Sequence, residues 1–166
     1  MNSREIEAVL RTVDDPEMPI NIVDLGIVSR IRTDAAGVEV EITPTFVGCP
    51  ALDVLRATIL DRLRAAGAAD PRVSFVNNPP WSVDRISDAG RAALRAHGVT
   101  TPERGFARRA AASGFVALTV SSIESVECPF CGSDRTRLES PFGPTRCRMI
   151  YYCDACRNQF EHMKAI

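Results

Sequence analysis

Apolar residues recur with a helical period at the start of the chain, where Ile6, Val9, Leu10 and Val13 fall on one face. Asn2 precedes this run as a cap, and Glu5 three residues on completes a capping box. The pattern predicts a first helix, ended by Asp15-Pro16-Glu17-Met18-Pro19, because two prolines cannot continue it. Val23 to Ile31 then reads as a strand broken at Gly26. Val38, Val40 and Ile42 alternate with Glu39 and Glu41, the pattern of a half-buried strand. Asp34-Ala35-Ala36-Gly37 is the expected hairpin turn between the two.

Leu52, Leu55, Ile59 and Leu63 mark a helix over residues 50–66. Pro50 suits its first position, which would leave Cys49 near the N-cap. Arg72 to Val76 is a third strand, followed by the loop Asn77-Asn78-Pro79-Pro80 and then Trp81. Ser87 starts another helix carrying Ala89, Ala92, Ala93 and Leu94, which Gly98 can close. Residues 99–113 lack a clear pattern and read as a linker, and the alternation from Phe115 to Ser121 reads as a strand.

The chemistry concentrates near the C-terminus, in Cys128/Cys131 and Cys153/Cys156. Two Cys-x-x-Cys pairs with 21 residues between them have the spacing of two knuckles folding onto one tetrahedral metal. Within Cys128-Pro129-Phe130-Cys131-Gly132, a tight turn aims backbone N–H groups at thiolate sulfur, and the glycine lets the chain turn without a Cβ clash. Zinc is the expected occupant, with iron open to the same ligand set. Two disulfides or four thiols are the other states open to these cysteines. The first residues mix Arg4, Glu5, Glu7 and Arg11 among apolar ones, unlike a signal peptide. No apolar run reaches the roughly 20 residues of a membrane span. A cytoplasmic, reducing location is therefore expected, which favours metal over disulfide.

Composition alters this picture little. The chain has 166 residues, 45% of them hydrophobic and 25% charged, as in a globular protein. The net charge of −1 hides an asymmetry. Residues 1–90 carry 9 basic and 14 acidic side chains, a balance of −5, and residues 91–166 carry 11 and 7, a balance of +4. A nucleic-acid-binding ribbon would need positive charge, but these arginines are scattered, and a protein-docking or solvated face explains +4 equally well.

Several motifs carry a resemblance. Asp15-Pro16-Glu17 leads to Ile22-Val23-Asp24-Leu25-Gly26-Ile27-Val28, and Thr43-Pro44-Thr45-Phe46-Val47-Gly48-Cys49-Pro50 follows. In that order they resemble the iron–sulfur assembly family catalogued as domain of unknown function 59. Asn78-Pro79-Pro80-Trp81-Ser82-Val83-Asp84-Arg85-Ile86 and Ser140-Pro141-Phe142-Gly143-Pro144-Thr145-Arg146-Cys147, with the first knuckle, extend the resemblance to the PaaD family, accessory components of phenylacetate-CoA epoxidases. The end, Lys164-Ala165-Ile166, departs from it, since another cysteine or a proline would be expected there.

The resemblance implies an α+β chain: a small α/β-layered assembly-family domain over 1–98, a linker over 99–113 and a zinc-ribbon-like domain over 114–166. It implies a non-enzymatic accessory factor for a ring-epoxidising multicomponent monooxygenase of phenylacetate catabolism. Such a factor would assist maturation or repair of iron–sulfur or di-iron centres in the reductase and hydroxylase subunits. A stoichiometric structural subunit is the alternative. The expected cofactor is structural zinc, with iron or a cluster held in transit. The ribbon and linker would dock the client, and assembly-family domains often form homodimers.

Cys49 matches the family's functional cysteine, and a thiol at a helix N-terminus would be activated by the dipole. Its bland reading is a small buried hydrophobe. Asp24 and Thr43 are pocket candidates beside it, although Asp24 equally suits a loop-holding role. Cys147 is either an exchanging thiol, a partner of Cys49 at a transient iron site, or a packed residue of the ribbon. His97 reads as a helix-terminal cation and His162 as a surface residue. Asp14, Asp15 and Glu17 read as solvated carboxylates of a turn. Trp81 reads as a core aromatic in preference to a docking anchor.

Overall fold

The computed structural model describes residues 1–34, 37–105 and 125–164. Among these are three α-helices, one short 3-10 helix (Val83–Arg85) and seven strands, the strands forming two separate sheets. The chain divides into two compact units, Met1–Trp81 with Arg85–Gly90, and Ser82–Asp84 with Arg91–Ile166. The strand expected over 115–121 lies outside the described residues. None of the described helices is long and apolar enough to cross a membrane.

The first unit is a two-layer α/β arrangement. Helix α1 (Ser3–Leu10) opens with the expected capping box, in which Glu5 N–H donates to Asn2 Oδ1 at 3.0 Å and Asn2 N–H donates to Glu5 Oε2 at 2.9 Å. It stops at Leu10, short of Val13, which is nevertheless buried. Strands β1 (Val28–Asp34) and β2 (Gly37–Ile42) pair antiparallel, and β3 (Arg72–Phe75) joins β2 in parallel after helix α2 (Leu52–Ala65). Alternation along β2 separates the faces: Val38, Val40 and Ile42 are buried, while Glu39 and Glu41 reach Arg32 and Arg30 of β1 at 3.8 Å. Those exposed pairs contribute about 0–1 kcal/mol each. The core is the apolar sheet face against Ile6 and Leu10 of α1 and Leu55, Ile59 and Leu63 of α2, all of them 3% exposed or less.

The strand expected from Val23 does not form until Val28. Asn21 captures the chain first, its side-chain oxygen accepting from the N–H groups of Val23 (3.1 Å) and Asp24 (2.9 Å). That side chain offers the backbone a turn in place of a ladder, and the turn overrides the apolar run. Gly26 closes it at φ 73°, where a Cβ would collide with the Arg85 carbonyl. Trp81 is a core residue, 2% exposed, with its indole N–H donating to the Leu25 carbonyl at 3.1 Å.

The second unit has a four-stranded sheet ordered β4-β7-β6-β5, built from β4 (Val99–Thr100), β5 (Thr136–Ser140), β6 (Arg148–Cys153) and β7 (Gln159–Met163). Residues 99 and 100, expected to open a linker, are thus an edge strand parallel to β7. They follow helix α3 (Asp88–Ala96), which Gly98 ends at φ 76°. Cys128, Cys153, Tyr151 and Phe160 form one buried cluster, with the two rings stacked at 5.7 Å, and Leu94, Val99, Cys147 and Met163 are also buried among the described residues.

His162 is buried, not on the surface, because β7 carries it inward. Its Nδ1 lies 2.8 Å from Thr100 Oγ1, and its ring meets Tyr151 edge-on at 5.5 Å. His97 is exposed, with Nδ1 2.9 Å from the Ala93 carbonyl.

Gly26→Ala should destabilise the first unit by about 2–3 kcal/mol, since it combines a left-handed backbone with a backbone clash; a denaturant midpoint unchanged from wild type would contradict the placement. Burial pushes the His162 imidazole down to about 4. Below an unfolded value of about 6.5 the unfolded chain takes up a proton that the folded chain refuses. Stability is therefore complete above about pH 6.5 and falls by about 3 kcal/mol as pH drops towards 4. His162→Gln should flatten that part of the pH–stability curve; an unchanged slope would show that His162 protonates freely in the fold.

Candidate metal centre

The four cysteines of the two pairs meet at one point. The Sγ atoms of Cys128, Cys131, Cys153 and Cys156 all lie within 4.8 Å of one another. Cys128 is 3.7 Å from Cys156, and Cys131 is 3.6 Å from Cys153. A disulfide needs about 2.05 Å, so these are not bonded pairs. A tetrahedral zinc with sulfurs at about 2.3 Å has sulfur–sulfur edges of about 3.8 Å, close to both measured edges.

Two copies of one backbone design produce this convergence. Cys128 N–H donates to the Ser133 carbonyl at 2.9 Å, and Cys153 N–H donates to the Asn158 carbonyl at 3.0 Å. Gly132 N–H returns to the Cys128 carbonyl at 3.0 Å, and Arg157 N–H returns to the Cys153 carbonyl at 2.8 Å. The residue after each second cysteine is left-handed, Gly132 at φ 72° and Arg157 at φ 61°. Backbone N–H groups of Ser133 and Asn158 then donate to the Cys131 and Cys156 sulfurs. The first knuckle advertises itself by its glycine. The second hides the same turn behind an arginine.

Four sulfurs this close cannot all ionise without a cation. Asn158 N–H draws the Cys156 thiol down to about 6. At Cys131 the Ser133 N–H pulls the same way but is outweighed by desolvation and the three neighbouring sulfurs, and the thiol is pushed up to about 12. A divalent cation among them removes that conflict by neutralising the thiolates, so the donor set fits zinc.

Cys147 is not part of this group. It is buried, with Sγ 3.2 Å from Thr145 Oγ1, whose oxygen also accepts from Arg148 Nε at 2.8 Å. Arg148 in turn pairs with Glu161 at 2.5 Å.

The other candidates lie in the first unit. Helix α2 begins at Leu52 with Ala51 as its cap, so Cys49 precedes the helix and does not cap it. Pro50 and Ala51 form a turn instead, in which Leu52 N–H reaches the Cys49 carbonyl at 3.4 Å. The half-buried Cys49 thiol donates to Glu17 Oε2 at 3.9 Å. From the sequence Glu17 is legible only as a turn carboxylate, because nothing in a linear pattern joins it to a cysteine 32 residues away. Asp24 and Thr43 have other partners. Thr43 Oγ1 is bonded to Ser29 Oγ. Asp24 accepts from Ser87 Oγ (2.7 Å), Asn21 Nδ2 (2.6 Å) and Arg11 Nη1 (3.1 Å), and the Ser87 and Asn21 bonds hold its carboxyl below the usual range. Asp24 thus holds the 21–26 turn against Ser87.

Comparison with known proteins matches both units. A family model described as an iron–sulfur cluster assembly protein matches residues 3–75, and one described as the PaaD zinc beta ribbon domain matches residues 114–164. The chain is 34% identical over 163 residues to a protein of Escherichia coli (strain K12) named for a component of 1,2-phenylacetyl-CoA epoxidase, covering 98% of this chain and 92% of that one. It is 36% identical over 88 residues to the Fe-S protein maturation auxiliary factor SufT of Staphylococcus aureus (strain USA300), covering 49% of this chain and 96% of that one. A crystal structure of a DUF59 domain from Bacillus anthracis matches 55% of this chain and 89% of its own, with 31% identity and a TM-score of 0.52.

If the second knuckle strains its backbone at Arg157, then Arg157→Gly should stabilise the ribbon by up to about 1 kcal/mol, whereas Gly132→Ala should destabilise it by about 1–2 kcal/mol. Replacing any one of the four cysteines by serine should release bound metal and unfold β5 to β7. A serine variant that keeps full metal content and its circular dichroism would remove that cysteine from the shell.

Proposed function

This chain belongs to the PaaD family of phenylacetyl-CoA epoxidase components, and from that premise we propose that it is a non-catalytic accessory protein that matures or repairs metal centres of a ring-epoxidising monooxygenase. The observation that carries the reading is the joining of two parts in one chain. The first unit matches the iron–sulfur assembly model, and the second gathers four sulfurs suited to a structural metal. The relatives named Fe-S protein maturation auxiliary factors, similar to about half of this chain, support a maturation role.

Cys128, Cys131, Cys153 and Cys156 would hold zinc, whose part is to fold a ribbon with little apolar core of its own. Cys49 is the proposed working thiol. It lies in a loop whose neighbour Val47 is 64% exposed, and Glu17 places a carboxylate oxygen beside its sulfur. Sulfur and oxygen together suit iron in transit: the thiolate binds the softer states, and the carboxylate can accept the thiol proton as the metal arrives. The clients would be the iron-bearing reductase and hydroxylase subunits. The relative's name as part of an epoxidase also favours a second reading, a stoichiometric structural component without transfer chemistry.

Cys49→Ala, co-produced with the client subunits, should leave fold and zinc content intact while lowering client iron or cluster occupancy several-fold. Glu17→Gln should act in the same direction more weakly. Normal client occupancy in Cys49→Ala, with the chain co-purifying at fixed ratio, would replace the maturation reading with the structural one.

A further inference from the structure

The metal centre is asymmetric towards solvent. The first cysteine of each knuckle, Cys128 and Cys153, is 0% exposed and packs with Tyr151 and Phe160. The second cysteines are more exposed: Cys156 is half-exposed, and Cys131 is the one exposed cysteine of the six in the chain. One flank of the sulfur group is therefore packed against aromatic rings, and the other presents Cys131 to solvent.

We propose that this centre is a peroxide-sensitive metal-release site, with Cys131 the sulfur oxidised first and Cys153 the sulfur that resolves it. The inference rests on the four cysteines holding zinc. The Cys131 thiolate attacks one oxygen of a hydroperoxide. An S–O bond forms, the O–O bond breaks and hydroxide leaves, giving a sulfenic acid. Cys153, 3.6 Å from that sulfur, then attacks it. An S–S bond forms, the S–O bond breaks and a second hydroxide leaves. Two thiolates have given two electrons to one peroxide, and two water molecules result once solvent protonates the hydroxides. The shell drops from four thiolates to two, Cys128 and Cys156, which no longer close a tetrahedron. The approach matters more than intrinsic reactivity here, because Cys147 is buried, Cys156 and Cys49 are half-buried, and Cys49 also faces the carboxylate of Glu17.

The test uses the full-length protein carrying one zinc, treated with equimolar hydrogen peroxide, with zinc release followed by a chromogenic chelator and the oxidised cysteines mapped by mass spectrometry. The expected result is one zinc released per Cys131–Cys153 disulfide. Cys131→His keeps a zinc-binding atom while removing the oxidisable sulfur, and it should slow release by about tenfold or more. Release at the wild-type rate from Cys131→His, or oxidation mapped first to Cys49 or Cys147 with zinc retained, would overturn the proposal. Should Cys131→His fail to hold zinc, the disulfide map of the wild type still decides it. Protein purified without any zinc would instead fail the underlying metal reading, before peroxide is added.

Discussion

Four sulfurs within 4.8 Å of one another set the terms for the whole C-terminal unit. Their mutual repulsion as thiolates opposes the fold, and only a cation turns that repulsion into attraction. Packed against them among the described residues are two stacked rings and a few half-buried neighbours. The backbone is committed to the same end, since both knuckles direct an N–H at a sulfur and return a carbonyl to close the turn. A pair of matched turns at the ends of adjacent strands is what brings two distant Cys-x-x-Cys pairs together. The ladder between β5 and β6 fixes the distance, with Thr136 opposite Cys153 and also holding Val126, two residues before Cys128.

The N-terminal unit is organised differently, by burial and one polar knot. Its sheet and helices bury a conventional aliphatic core, while Asp24 ties the 21–26 turn to Ser87, which in turn accepts from Gly90 N–H at the start of α3. Gly26 and Gly90 allow the close approach: a Cβ on the first would strike the Arg85 carbonyl, and on the second the Asp24 carbonyl at 2.7 Å. The motif residues 22–28 and 81–86 are therefore explained largely as structure. Cys49 and Glu17 meet apart from that knot, thiol to carboxylate at 3.9 Å.

Much of this is legible in the residues. The capping box at Asn2, the alternation along β2 and the spacing of the two cysteine pairs are local or periodic signals, and each depends on chemistry that neighbours in sequence already contain. The expected α+β class and the family assignment rest on such signals. The misplacements share a cause. The strand at Val23 yields to the Asn21 side chain, the α2 start moves to Leu52, and Val99–Thr100 becomes a strand because β7 offers an edge. His162 has no partner at ligand spacing and so reads as a surface residue, while its burial depends on Thr100, 62 residues away.

The sequence by itself determined which residues could form a metal shell, how the first helix is capped, and which faces would be apolar, because those follow from side-chain chemistry and period. Tertiary structure alone decided that Glu17 meets Cys49, that Asp24 is a structural tie, that Cys147 stands outside the sulfur group, and that Cys131 is the exposed ligand. Each of these is a contact or an exposure set by residues far apart in the chain. Such proximity is fixed by packing and strand pairing, which no local pattern encodes.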